Sequence, residues 1–117
     1  MNKTEFVEKL YQCVDDRNVQ ALSAFLAPDV SFRFANAEPL KGKEAVLEAN
    51  KGFFASIAAM SHRIDSIWVK DDDLICNGQV NYTRLDASKF SAPFATILKV
   101  KDEQIIDYLI YADVSGL

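Results

Sequence analysis

Residues 62–86 read HRIDSIWVKDDDLICNGQVNYTRLD, and the period of this stretch decides the fold. Apolar and polar side chains alternate on both sides of KDDD (70–73). That is the pattern of a half-buried strand, a tight polar turn and a second strand. The rhythm returns in SAPFATILKV (91–100) and QIIDYLIYAD (104–113), with DASK (86–89) and KDE (101–103) as connecting turns. The C-terminal half is therefore expected to be an antiparallel meander beginning at His62. Counting by twos from His62 puts Ile64, Ser66 and Trp68 on its face, and counting back from Asp113 puts Tyr111 and Leu109 on that residue's face.

Ahead of the meander the period is helical. Over 3–16, Phe6, Val7, Leu10, Tyr11 and Val14 share one face, with charges opposite. Asn2 followed by Glu5 resembles a capping box, and Thr4 is the alternative cap. Asn18 caps a second, shorter helix carrying Val19, Leu22, Phe25 and Leu26, which Pro28 ends. VSFRF (30–34) reads as a short strand with Phe32 and Phe34 on one side and Arg33 on the other, and NAEPLKG (36–42) is turn chemistry. A third helix is expected from Lys43 to about Ala59, bearing Val46, Leu47, Phe53, Phe54 and Ile57. Gly52 inside it costs about 1 kcal/mol relative to Ala and points to close packing on that face. Helices first and a meander after give an α+β fold, one domain over 1–117, with the helices on one sheet face.

A net charge of −4 argues against nucleic acid, because phosphate binding needs clustered Lys and Arg. No apolar run approaches the roughly 20 residues that span a bilayer, and MNKTEFVEKLYQ lacks a signal-peptide core. A cytoplasmic location is the default expectation. Cys13 and Cys76 form no C-x-x-C pair and are expected to be free, buried thiols. With His62 the only histidine, and with no P-loop or dinucleotide fingerprint, neither a metal nor a cofactor is expected.

In this order of elements, three stretches carry a resemblance: FRFANAEPLKGKEAV, HRIDSIWVKDDDLICNGQVNYTRLD and PFATILKVKDEQIIDYLIYADVS. The chain resembles the SnoaL-like branch of the nuclear-transport-factor-two-like superfamily over essentially its whole length. The resemblance implies a cone-shaped roll, with the N-terminal helices packed on a curved, mainly antiparallel sheet. It also implies a pocket for an apolar small molecule and a homodimer, with NGQVNYTRL (77–85) offering a polar outer face for the pairing. That superfamily includes cyclases, isomerases, epoxide hydrolases and non-enzymatic modules, so activity has to be read from the site.

Three chemistries follow from the resemblance. Epoxide-hydrolase relatives place an Arg-x-Asp on a central strand and a second Asp at the end of the last one, which here are Arg84, Asp86 and Asp113. Their first-strand Tyr and Asn, which hold the water, correspond to Phe32 and Phe34. Isomerase relatives use a carboxylate just before an EPxxG turn. The turn is present from Glu38 to Gly42, but Arg33 and Phe34 occupy the base position, and an Arg stays protonated. Cyclase relatives use an acid–base group inside an apolar pocket. Asp113 and His62 are the candidates, with Tyr82 and Tyr111 as hydroxyl donors and Phe32, Phe34, Phe54, Trp68 and Phe94 around the ligand.

Each of these residues also has a structural reading. Asp86 opens a hairpin turn, Arg84 suits a solvated strand, and His62 suits a hydrogen-bonded strand start. Asp113 suits a strand-terminal cap, and the phenylalanines suit the core. The two function classes carried forward are cofactor-free acid–base catalysis and a non-catalytic binding or dimerisation module.

Overall fold

The chain folds as α1 (Lys3–Asp15), α2 (Val19–Ser23), β1 (Leu26–Phe34), β2 (Leu40–Lys41), α3 (Lys43–Ala55), β3 (Ile57–Lys70), β4 (Asp73–Arg84), β5 (Lys89–Lys101) and β6 (Gln104–Ala112). These elements come from a computed structural model that describes all 117 residues. Asn2 caps α1 by accepting from the Glu5 amide, and Asn18 caps α2 through the Ala21 amide. The six strands lie in the order β2-β1-β6-β5-β4-β3. All neighbours are antiparallel except β1 and β6. The helices cover one face of this sheet, and a single cluster of 24 buried residues fills the space between. This is the expected α+β cone. No helix is long and apolar enough to cross a membrane.

Several boundaries differ from the sequence reading, and Leu40–Lys41, inside the stretch read as a turn, forms the short strand β2. The second helix stops at Ser23, and Leu26 already belongs to β1, paired with Ile105 of β6. Pro28 therefore lies inside a strand, in the stretch between Leu26 and Ser31 where the β1–β6 register shifts and a missing N–H costs least. The third helix ends at Ala55, where both the amide and the hydroxyl of Ser56 donate to the Phe53 carbonyl. Arg17 donates to the carbonyl of Phe54, which the helix end leaves free, and to that of Ile57 just beyond it. Strand β3 consequently starts at Ile57 rather than His62. Finally, Gly52 faces open space, so the expected close packing there is absent.

Two β-bulges have the largest consequences. Along β3 the register moves between Ile64, opposite Gly78, and Ser66, opposite Asn77, which makes Asp65 the extra residue. Along β6 it moves between Ile105, opposite Val100, and Asp107, opposite Lys99, which makes Ile106 the extra residue. One inserted residue inverts the inside–outside alternation downstream of it. Gly78 marks the first bulge. A Cβ there would sit 1.7 Å from the Arg63 carbonyl oxygen, so only glycine lets the bulged backbone approach.

Candidate functional site

Asp15 is the last residue of α1, a helix with no basic residue in its final turn. A carboxylate at that end meets the negative pole of the helix, so helix stability does not favour it there. What holds it is His62. Asp15 Oδ2 accepts from the His62 backbone amide at 2.9 Å, and Oδ1 lies 2.6 Å from Nδ1 of the ring. The His62 side chain is only 7 % exposed and that of Asp15 25 %. The imidazole packs 4.4 Å from the ring of Tyr11 and 5.0 Å from that of Phe94. With Nδ1 donating to the carboxylate, Nε2 is the ring's remaining acceptor, and as imidazolium the ring has a counter-ion in place.

Beside His62 the concave sheet face and the helices enclose two adjoining spaces. The inner chamber is about 30 Å³ and is lined by Tyr11, His62, Tyr82, Phe94 and Tyr108 among mostly apolar neighbours. The outer cleft is about 400 Å³ and runs between Phe32, Leu40 and Ala49 on its walls and Asn36, Glu38 and Ser115 at its polar edge. Phe34, Asn50, Phe53 and Ala112 line both, and the rings of Phe34 and Phe53 pack on each other there, tilted by 53° with centroids 5.1 Å apart.

The chamber floor is polar but sealed. Tyr11 hydrogen-bonds through its hydroxyl to Oγ1 of fully buried Thr96. Burial pushes the phenols of Tyr11 and Tyr108 above the ordinary range and that of Tyr82 up to about 12, so all three remain neutral donors. Burial likewise raises the thiols of Cys13 and Cys76 to about 11, and both cysteines are free. No three His, Cys, Asp or Glu side chains come together as metal ligands.

Several expected site residues lie elsewhere. The bulge at Ile106 turns Tyr108, Ile110 and Ala112 inward and leaves Asp113 and Tyr111 on the outer face, Tyr111 being 53 % exposed. Asp113 is exposed and accepts from the amide and hydroxyl of Ser115, which hold its carboxyl below the usual range. Its expected place in the pocket is therefore corrected to that of a turn cap. Asp86 caps its own turn identically through Ser88, with the same effect on its carboxyl. Arg84 reaches neither the pocket nor Asp113. Its guanidinium donates to the Gly116 carbonyl, Ser88 Oγ and the Lys89 carbonyl, and it lies 5.4 Å over the Phe90 ring. Trp68, expected on the His62 face, is 53 % exposed because the bulge at Asp65 reverses the phase between them.

Phe32 and Phe34 line the outer cleft, while Phe34, Phe54, Tyr82 and Phe94 line the inner chamber. Asp15, Tyr11 and Asn50 are the site residues that sequence reasoning missed. The available signal was positional: Tyr11, Val14 and Asp15 share one helical face, so that apolar stripe ends in an acid.

A family model described as SnoaL-like domain matches residues 7–108. No curated protein sequence matches the chain significantly. Among solved structures, a nuclear-transport-factor-two-like protein of unknown function from Burkholderia pseudomallei superposes with a TM-score of 0.88 at 16% identity, over 99% of this chain and 94% of that one. A proposed polyketide cyclase from Xanthomonas campestris gives 0.85 at 20% identity, over 97% and 91%. An LEH-like epoxide hydrolase from M. tuberculosis gives 0.82 at 13% identity, over 95% and 82%. At such identities the likeness speaks for the fold alone.

Proposed function

The chain belongs to the SnoaL-like domain family, and we propose that it is a cofactor-free acid–base catalyst acting on an apolar small molecule held in the cone. The observation that carries this reading is the His62–Asp15 pair at 2.6 Å, whose imidazole is nearly buried and lines a chamber formed mainly by apolar side chains, with the carboxylate behind it. Its Nε2 takes a proton from a carbon acid, and Asp15 holds the ring in one tautomer and stabilises the imidazolium that forms. The neutral phenol of Tyr82 lines the same chamber and is available to hydrogen-bond the developing oxyanion. The chemistry is proton transfer next to a carbonyl, as in cyclisation or isomerisation. Hydrolysis of an epoxide is disfavoured, because the Arg84, Asp86 and Asp113 trio lies outside the cavity.

The test is proton exchange into β-tetralone, a flat enolisable ketone, in deuterated water followed by NMR. Wild type should accelerate exchange over buffer, and His62→Gln should lose at least about 100-fold of that acceleration. Binding of the ketone without acceleration would favour the second reading, a non-catalytic ligand-binding module. One observation supports that reading: the inner chamber has room for about one water, so a ligand lying in the outer cleft alone would not touch His62.

We propose in addition that two copies pair through the outer sheet face. Trp68 and Tyr111 stand on it at 53 % exposure each and Ile75 at 36 %, so the face is more apolar than NGQVNYTRL alone implied. Light scattering should return twice the 13.1 kDa chain mass at micromolar concentration, and a dilution-independent monomer would sink the idea. A cytoplasmic setting fits the two unpaired thiols.

A further inference from the structure

Helix α3 turns Val46, Asn50, Phe53 and Phe54 toward the interior, and Asn50 is the one polar member of that stripe. The fold gives it little reason to be polar. Its Nδ2 donates to the carbonyl of Val46 one turn back, at 2.8 Å, a group already within the helix ladder. Asn is also a weaker helix former than Leu or Met by a few tenths of a kcal/mol, roughly 0.5. Its Oδ1 receives no hydrogen bond from the protein, and it is not sealed off either, since the only enclosed side-chain oxygen without a partner is that of Asn77. Asn50 is, moreover, the only polar residue lining both the outer cleft and the inner chamber.

We infer that Asn50 is the positioning residue of the cavity: its Oδ1 accepts a hydrogen bond from a hydroxyl or N–H in the middle of the ligand, and so sets how far the ligand reaches toward His62. This rests on the reading of the cone as a small-molecule pocket and narrows the ligand class. The molecule is apolar enough to lie against the packed rings of Phe34 and Phe53, and it carries one hydrogen-bond donor at the level of Asn50. A purely hydrocarbon ligand would leave Oδ1 desolvated and unpaired, which costs free energy that a donor-bearing ligand avoids. The amide discriminates by that difference and moves no proton itself.

The experiment compares two probes of one shape, β-naphthol and naphthalene, by amide chemical-shift titration of the full chain. One net hydrogen bond corresponds to about a 3- to 10-fold change in affinity. In Asn50→Leu the ratio of β-naphthol to naphthalene affinity should fall by about that factor, with naphthalene binding kept or improved. Asn50→Asp keeps an acceptor at the same place and should retain the preference for the naphthol. An unchanged ratio in Asn50→Leu, or a naphthol that fails to bind where naphthalene binds, overturns the assignment. Failure of both probes to bind wild type overturns the pocket itself and this assignment with it. Neither probe is turned over, so these outcomes are independent of the ketone exchange that tests His62.

Discussion

The inner chamber and the C-terminal corner contain the same kinds of group in opposite settings. At the corner, Asp86 and Asp113 sit at exposed turns and Arg84 at the end of β4, and each is saturated by near neighbours: Ser88 and Ser115 for the acids, three carbonyls and Ser88 for the guanidinium. At the chamber, Asp15 meets His62 across 47 residues of sequence, with the imidazole nearly buried and the carboxylate partly so. A carboxylate committed to its own turn is a lower-energy acceptor and a weaker base, whereas a carboxylate behind an imidazole leaves the ring's second nitrogen free. Residue type does not separate the two regions. Depth and the identity of the partner do.

The contrast is broken most directly at Gly78. An alanine there would place its Cβ against the Arg63 carbonyl, so Gly78→Ala should cost about 3 kcal/mol in urea unfolding. A wild-type midpoint would mean that the β3 bulge is not rigidly held. Next in size, Asp15→Asn should lower β-tetralone exchange by about 100-fold with the fold kept by circular dichroism. Asp113→Asn should leave exchange within about twofold, well short of the loss expected of a catalytic acid–base group. Equal losses in both variants would erase the distinction between the regions.

Arg84→Ala tests the corner as structure. Losing hydrogen bonds that tie residues 116 and 117 to the β4–β5 hairpin should cost about 1–2 kcal/mol of stability while exchange persists. Alkaline pH probes the interior. Cys13 and Cys76 ionise at about 11 when folded against 9.0 ordinarily, so the folded state binds more protons between those values. Their contribution is complete below pH 9.0 and is lost as pH rises to about 11, and the Cys13→Ala, Cys76→Ala double variant should show a shallower decline in that window. The smallest effect is a gain. With open space around Gly52, Gly52→Ala should stabilise the chain by up to about 1 kcal/mol, read as a raised urea midpoint.

Part of the corner was already legible. DAS (86–88) and DVS (113–115) repeat one Asp-x-Ser pattern, and in both the acid takes the serine amide two residues on. Gly78 in the middle of an alternating strand was a bulge signal of the same local kind. Asp15 offered less. Its helical face was readable, but nothing near it in sequence indicated which residue of β3 it would meet.

The sequence by itself determined the three helices, the antiparallel meander, the Asn18 helix cap and the α+β class, because periodicity, capping and turn chemistry act over a few residues. The tertiary structure alone decided which side of the sheet each late residue occupies. It also decided the parallel pairing of β1 with β6 and the meeting of Asp15 with His62. The physical reason is the bulge. One extra residue at Asp65 and one at Ile106 leave every local preference intact yet exchange inside for outside beyond them. Trp68, Tyr111 and Asp113 thereby face out, while Tyr108 and Ala112 face the cavity.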